Sequence, residues 1–199
     1  MGIFLGGMAY GFTLGMWRAP LMGFFVGVKL PLLIGLTLLT NGLINGMLAQ
    51  VLGSGLSFRQ TLMAMLLSFA TFALITGALS PIAFFFIWNA PEPGSMAGGE
   101  AHSAILLAHT IIIAFAGFIA FRRFLPVLQS IANTRRSAHL VLAAWLAGNL
   151  LVGAQLSWNL RPFFGQPGRP VEFIRPDWNH SSFYESVLHH LLNLINRYC

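Results

Sequence analysis

Four stretches of this sequence stay apolar for about the length of a membrane crossing: Leu30–Val51, Thr61–Trp88, Ala104–Phe121 and Ala138–Leu160. A helix needs about 20 residues to cross a ~30 Å hydrocarbon layer. A helix is also the form in which a lone segment satisfies its own backbone there. Among the 199 residues only eleven are basic and five acidic, or 8%, against about 25% in a soluble domain. Too few polar residues remain to clothe a soluble globule. This excludes a cytosolic enzyme, a disordered tail and a disulfide-stapled secreted domain. The expected class is an all-α integral membrane protein. It has four transmembrane helices over 1–160 and an external Pro/aromatic tail with an amphipathic helix over 161–199.

Charge orients the spans. Arg122, Arg123, Arg135 and Arg136 lie between the third and fourth, with no acid, while Glu92 and Glu100 lie between the second and third, with no base. Basic loops are retained in the cytoplasm, so the arginine loop is expected inside and the glutamate loop outside. Arg59 agrees, and both termini then fall outside with every acid. The formal net charge of +6 is thereby an orientation signal, and no nucleic-acid partner is expected. Asn89–Gly99, rich in Pro, Gly and Ala, reads as an ordered turn. Pro81 is expected to kink the second span.

The segment Gly2–Trp17 is apolar, but sixteen residues reach only about 24 Å, and Arg18 and Pro20 break the apolar run directly after it. It reads as an outer re-entrant or interfacial helix, or as a fifth short span. No basic region precedes it, so it is not read as a signal peptide. Gly7, Gly11 and Gly15 recur every fourth residue, as do Gly2/Gly6, Gly23/Gly27 and Gly42/Gly46. Such a face lets another helix approach closely, either across a subunit seam or within one chain.

Few residues carry chemistry. Lys29 is the one charge near a span interior and either snorkels to the outer interface or faces a polar seam. Asn41, Asn45, Asn149 and Gln155 are amides in apolar sequence, and each needs a hydrogen bond across helices. His109 lies mid-span and reads as a structural histidine. His139 sits at the wrong membrane side to pair with it for haem. No Asp or Glu lies within a span, which disfavours ion-coupled transport. Cys199 has no partner for an intrachain disulfide and reads as an inert thiol.

In the tail, Pro162, Pro167, Pro170 and Pro176 forbid a helix through Pro176. This piece is expected to run extended along the outer surface, with Trp158, Phe163, Phe164 and Phe173 in the interface. Arg161 then contacts a lipid phosphate or a helix-end carbonyl, or pairs with Glu172 or Asp177. Ser181–Arg197 reads as an amphipathic helix capped by Ser181 or Ser182 with Glu185. Tyr184, Val187, Leu188, Leu191, Leu194 and Ile195 form its apolar stripe, and it lies in the interface or docks on a partner. Asp177, Glu185 and His189, with His180 and His190 nearby, are weak metal candidates because no tight ligand motif is present.

The run Gly153-Ala-Gln-Leu-Ser-Trp158-Asn-Leu-Arg161-Pro-Phe-Phe-Gly165-Gln-Pro167, followed by Phe173 and Arg175, resembles a group of small bacterial multi-pass membrane proteins of undetermined function. Tyr10-Gly11 with Gly15, and Lys29-Leu-Pro31-Leu, resemble its N-terminal part. The Trp158–Gly165 stretch is the distinctive element. The resemblance implies a bacterial inner membrane and the topology above, and carries over no catalytic residue and no cofactor. In that group a polar cytoplasmic segment stands first, which would favour the five-span alternative.

The expected function is a non-enzymatic membrane subunit, packed against other membrane proteins or copies of itself and clamped by its tail. The alternatives are a channel with Asn41, Asn45 and Lys29 facing its axis, and a metal-dependent membrane enzyme using Glu185, His189 and Asp177.

Overall fold

The computed structural model describes residues 1–166 and 168–188. The later part of the expected C-terminal helix, with His189, His190 and Cys199, and Pro167 in the tail lie outside the described residues. Among the described residues, six helices bounded at both ends come in the order α1 Gly2–Met16, α2 Pro20–Val51, α3 Phe58–Ala78, α4 Ser80–Trp88, α5 Gly98–Ile131 and α6 Arg135–Asn159. Four of them, α2, α3, α5 and α6, are long and apolar enough to cross a membrane. The chain is thus an all-α, multi-pass architecture with a shorter apolar helix in front.

The helix ends differ from the hydropathy boundaries for local reasons. α2 begins ten residues before Leu30, because Ala19 is extended and Pro20 opens the helix where no amide donor is needed. α3 begins at Phe58, where Ser57 and Gln60 form a reciprocal capping box. The second apolar run breaks at Leu79, a stronger effect than a kink. Pro81 cannot donate to the Gly77 carbonyl, and its ring crowds that oxygen, so α4 starts afresh. α5 runs 34 residues, about 51 Å, and carries Arg122 and Arg123 inside it. The arginines do not sit in a loop, since Arg is a good helix former and a polarity change does not end a helix. The actual connection is three residues long, and Thr134 with Ser137 caps α6.

The helices form a bundle with two distinct ends. At the arginine end the short turns interlock: Asn133 donates its backbone N–H to the Ser54 carbonyl at 2.8 Å and its side-chain amide to Gly53 O at 3.4 Å. The largest core cluster lies above them, where Phe124 and Leu128 of α5 meet Val141 and Trp145 of α6, with Met65 of α3. At the other end, the tail end, the ordered turn of 89–97 and the chain after α6 fold over the helices.

α1 runs antiparallel beside α2 and does not lie across the bundle as an interfacial helix would. Gly15 abuts Met22, Gly11 abuts Val26 and Gly7 abuts Pro31, so each turn of α1 tracks about one turn of α2. Its opposite side meets α3, with Gly6 against Ala73 and Gly77. At fifteen residues, about 22 Å, α1 accompanies only the tail-end half of α2. Gly42 and Gly46 face Leu62 and Phe58 of α3. The expected glycine faces are therefore filled within one chain and leave no subunit seam at these positions. At Gly6, Gly11 and Gly15 the neighbouring backbones come so close that only a hydrogen atom fits between them.

Candidate functional site: the latched tail end

α6 stops at Asn159, well short of the tail ends of α2 and α5, because Pro162 comes soon after. The tail fills the space left beside them. From Pro162 it climbs along α2 toward Arg18, turns over where the Arg169 N–H donates to the Gln166 carbonyl, and returns to Arg161. It then descends beside α6, where Ser182 and Glu185 form a capping box for a helix beginning at 183.

Of the aromatic residues expected in the lipid interface, Phe163 and Phe164 point inward instead. Phe163, Phe164 and Val171 pack on a core of Tyr10, Leu14, Met22 and Val26. The reason is depth: the chain doubles back, so its apolar side chains meet protein before they reach lipid. Gly165 makes the turn possible, with φ +61°, and an added Cβ there would lie 2.8 Å from the Arg18 side chain.

Lys29 is fully buried, 0% exposed. It does not snorkel. Its ammonium donates to the Pro162 carbonyl at 2.8 Å and lies 5.0 Å from the Phe173 ring centre and 5.7 Å from that of Phe163. A carbonyl dipole and two aromatic faces hold the cation, and no carboxylate pairs with it among the described residues. Phe173 also meets Phe25 edge-on. One turn of tail and one turn of α2 are thus joined through a single buried amine.

Tyr10 and His109 form a second buried pair, 1% and 2% exposed. The phenol oxygen lies 2.9 Å from Nδ1 of His109, and Phe164 caps the same ring edge-on at 5.7 Å. The histidine is spent on joining α1 to α5 under the tail. Tyr10→Phe is expected to leave His109 short of a partner at a cost of about 1–3 kcal/mol. Thermal unfolding of the detergent-solubilised protein reads it as a lowered midpoint, and an unchanged midpoint would contradict the pairing.

Arg161 latches the outer edge. Its guanidinium lies 4.1 Å from the Trp158 ring centre, donates to the Trp158 carbonyl, and pairs with Asp177 Oδ2 at 3.3 Å. Two of the sequence alternatives are therefore met together, the helix-end carbonyl contact to Trp158 and the ion pair to Asp177. Partial burial works against ionisation of Asp177. Its own backbone N–H, the charge and hydrogen bond of Arg161, and the charge of Arg175 outweigh it and hold the carboxyl below its usual value. Trp158 donates to Ser181 O at 2.9 Å, Gln155 accepts from Phe183 N at 3.1 Å, and the Tyr184 hydroxyl donates to Leu151 O. Arg18 holds the far turn through the carbonyls of Gln166 and Arg169, and Trp17 donates to Pro91 O at 3.0 Å.

Deeper in the bundle, Asn41 donates to Asn149 Oδ1 at 2.9 Å and to Gly148 O at 3.3 Å, tying α2 to α6. Asn45 donates to Met65 Sδ at 3.6 Å, and its backbone carbonyl accepts from Trp145. Asn45 Oδ1 and Thr61 Oγ1 are buried without a partner among the described residues.

Comparison with known proteins finds no matching family model, no similar curated protein and no similar solved structure. The chemistry must therefore be read from the side chains themselves. Of the three metal candidates, Asp177 holds Arg161, Glu185 caps a helix, and His189 lies outside the described residues. No group of three metal-binding side chains gathers among the described residues. Sequence reasoning overlooked Arg18, Phe173 and Tyr10 as tail contacts. Tyr10 carried a usable signal, since a buried phenol in an apolar helix must find a hydrogen-bond partner.

Proposed function

We propose that this chain is a non-enzymatic integral membrane subunit whose latched tail presents a fixed surface to another membrane protein. The observation that carries this reading is the buried Lys29 contact: the one charge deep in the helices is spent on fastening the tail. Arg161 and Gln155 are spent the same way, and His109 is spent on joining α1 to α5. Polar groups used to hold a shape are not free to move protons or ions. The bacterial inner membrane, with the tail on the external side, is supported by the confinement of all five acids to the tail end, which leaves Arg59, Arg122, Arg123, Arg135 and Arg136 at an acid-free end.

The test is purification in mild detergent from cells producing the chain at native level. Stable co-purifying membrane proteins are expected, and they should be lost in Arg161→Ala, which unlatches the tail edge. A lone monomer from wild type would count against the reading. The channel alternative is less well supported, because Lys29 faces the tail and Asn41 faces α6 within a single chain. Conductance in a planar bilayer that changes in Lys29→Met would revive it.

A further inference from the structure

Toward the arginine end, α5 and α6 are in close contact, with the rings of Phe124 and Trp145 stacked at 6.2 Å. Beyond that contact a cavity of about 220 Å³ opens between α3, α5 and α6. Met65 and Phe69 line its α3 side, Gly117 its α5 side and Asn149 its α6 side. Leu146 and Leu150 at its rim are 45% and 65% exposed, so the cavity opens sideways, where a bilayer would lie. An apolar cavity of ~150 Å³ already stays dry and takes up an apolar guest.

Gly117 is the unexplained residue in its wall. At Gly11 and Gly15 the missing Cβ makes room for a neighbouring backbone, yet a Cβ at Gly117 would meet nothing within 4 Å. A glycine inside a helix costs stability relative to alanine, and no packing among the described residues accounts for it here. Next to the cavity, and sharing Ser68, Ala120 and Phe124 with it, lies a second cleft of about 360 Å³ lined by Thr71 and Arg123. Arg123 stands eight residues from the end of α5, about 12 Å along the axis. It makes no ion pair among the described residues.

We propose that this pair of clefts binds an anionic phospholipid, with an acyl chain in the cavity beside Gly117 and the phosphate at Arg123. The apolar walls suit the chain, the open space at Gly117 gives it a bed, and the guanidinium with the Ser68 hydroxyl supplies donors for the phosphate. Charge selects the lipid: a neutral, zwitterionic headgroup offers Arg123 far less than a phosphatidylglycerol. The site does not depend on whether the chain is a subunit.

The test adds phosphatidylglycerol or phosphatidylcholine of identical chains to the delipidated protein in non-ionic detergent. Thermal midpoint and the number of lipids retained in native mass spectrometry are read. Phosphatidylglycerol is expected to raise the midpoint by several degrees more than phosphatidylcholine. Arg123→Gln should remove that preference, while Arg135→Gln at the bundle end should keep it. Gly117→Leu should fill the cavity, raise the lipid-free midpoint and abolish the response to phosphatidylglycerol, with Gly117→Ala between. Equal responses to the two lipids in wild type would overturn the proposal. So would a preference that survives Arg123→Gln, one lost equally in Arg135→Gln, or a full response in Gly117→Leu.

Discussion

Lys29→Glu is expected to release the tail from the helices. In the wild-type protein the ammonium gives the Pro162 carbonyl a charge-assisted hydrogen bond at 2.8 Å, a kind of contact worth about 1.5–3 kcal/mol. It also faces the rings of Phe163 and Phe173, at about 0.5–2 kcal/mol for a desolvated cation–π contact. A carboxylate at the same place meets a carbonyl oxygen and the negative faces of two rings, and every favourable contact changes sign. Burying it unpaired costs several kcal/mol, more than the tail's remaining contacts can offset. Lys29→Met separates charge from volume. It loses the hydrogen bond but no longer buries an ammonium, so the two changes largely offset and the tail should stay docked. Chymotrypsin cleavage after Phe164 and Phe173 reports the open fraction, since local opening controls access. Cleavage of Lys29→Glu at least tenfold faster than wild type, with Lys29→Met close to wild type, is the expected pattern. Equal rates in all three would show that position 29 does not face the docked tail.

Much of this arrangement was legible in the sequence, and the missing part has a common cause. The four spans are set by runs of apolar residues, because a bilayer imposes length and polarity on each segment separately. Their ends were less legible. Arg122 marks a change of polarity, but a helix ends where capping or proline ends it, as at Thr134 and Pro81. The amides were legible as a need for partners, and Asn41 met Asn149 as that need requires. Arg161 was legible as a lipid-phosphate or helix-end contact or as an ion pair to Glu172 or Asp177, and it makes the helix-end contact and the Asp177 pair together. The partner of Lys29 was not, because it lies 133 residues away and is a backbone carbonyl, which leaves no trace in residue type. The inward turn of Phe163 and Phe164 was hidden for a related reason. An apolar side chain reads the same whether it will face lipid or protein, and only the doubling back of the tail decides between them.

The glycine faces show the same division between spacing and partner, and they carry the second large expected effect. A fourfold glycine spacing announces a close approach but does not name what approaches. In this fold the approaching backbone is α2, and an added Cβ on Gly11 would lie 2.5 Å from the Val26 carbonyl oxygen and 3.0 Å from Gly27 Cα. Both are backbone atoms inside a 32-residue helix, so neither can rotate aside as a flexible side chain would. Gly11→Ala must push α1 off α2, at a cost of about 3 kcal/mol, the upper part of the usual overpacking range. Tyr10 is the next residue, and the shift draws its hydroxyl away from His109, so the loss extends to α5. Gly35→Ala is the matched control. It lies on the same long helix with nothing within 4 Å of the added Cβ, and replacing glycine where there is room stabilises by about 0.4–1 kcal/mol. Opposite signs are therefore expected for one methyl group placed at two glycines: a clear fall in thermal midpoint for Gly11→Ala and a slight rise for Gly35→Ala. A Gly11→Ala protein as stable as wild type would mean that α1 is not seated on α2 by its glycine face.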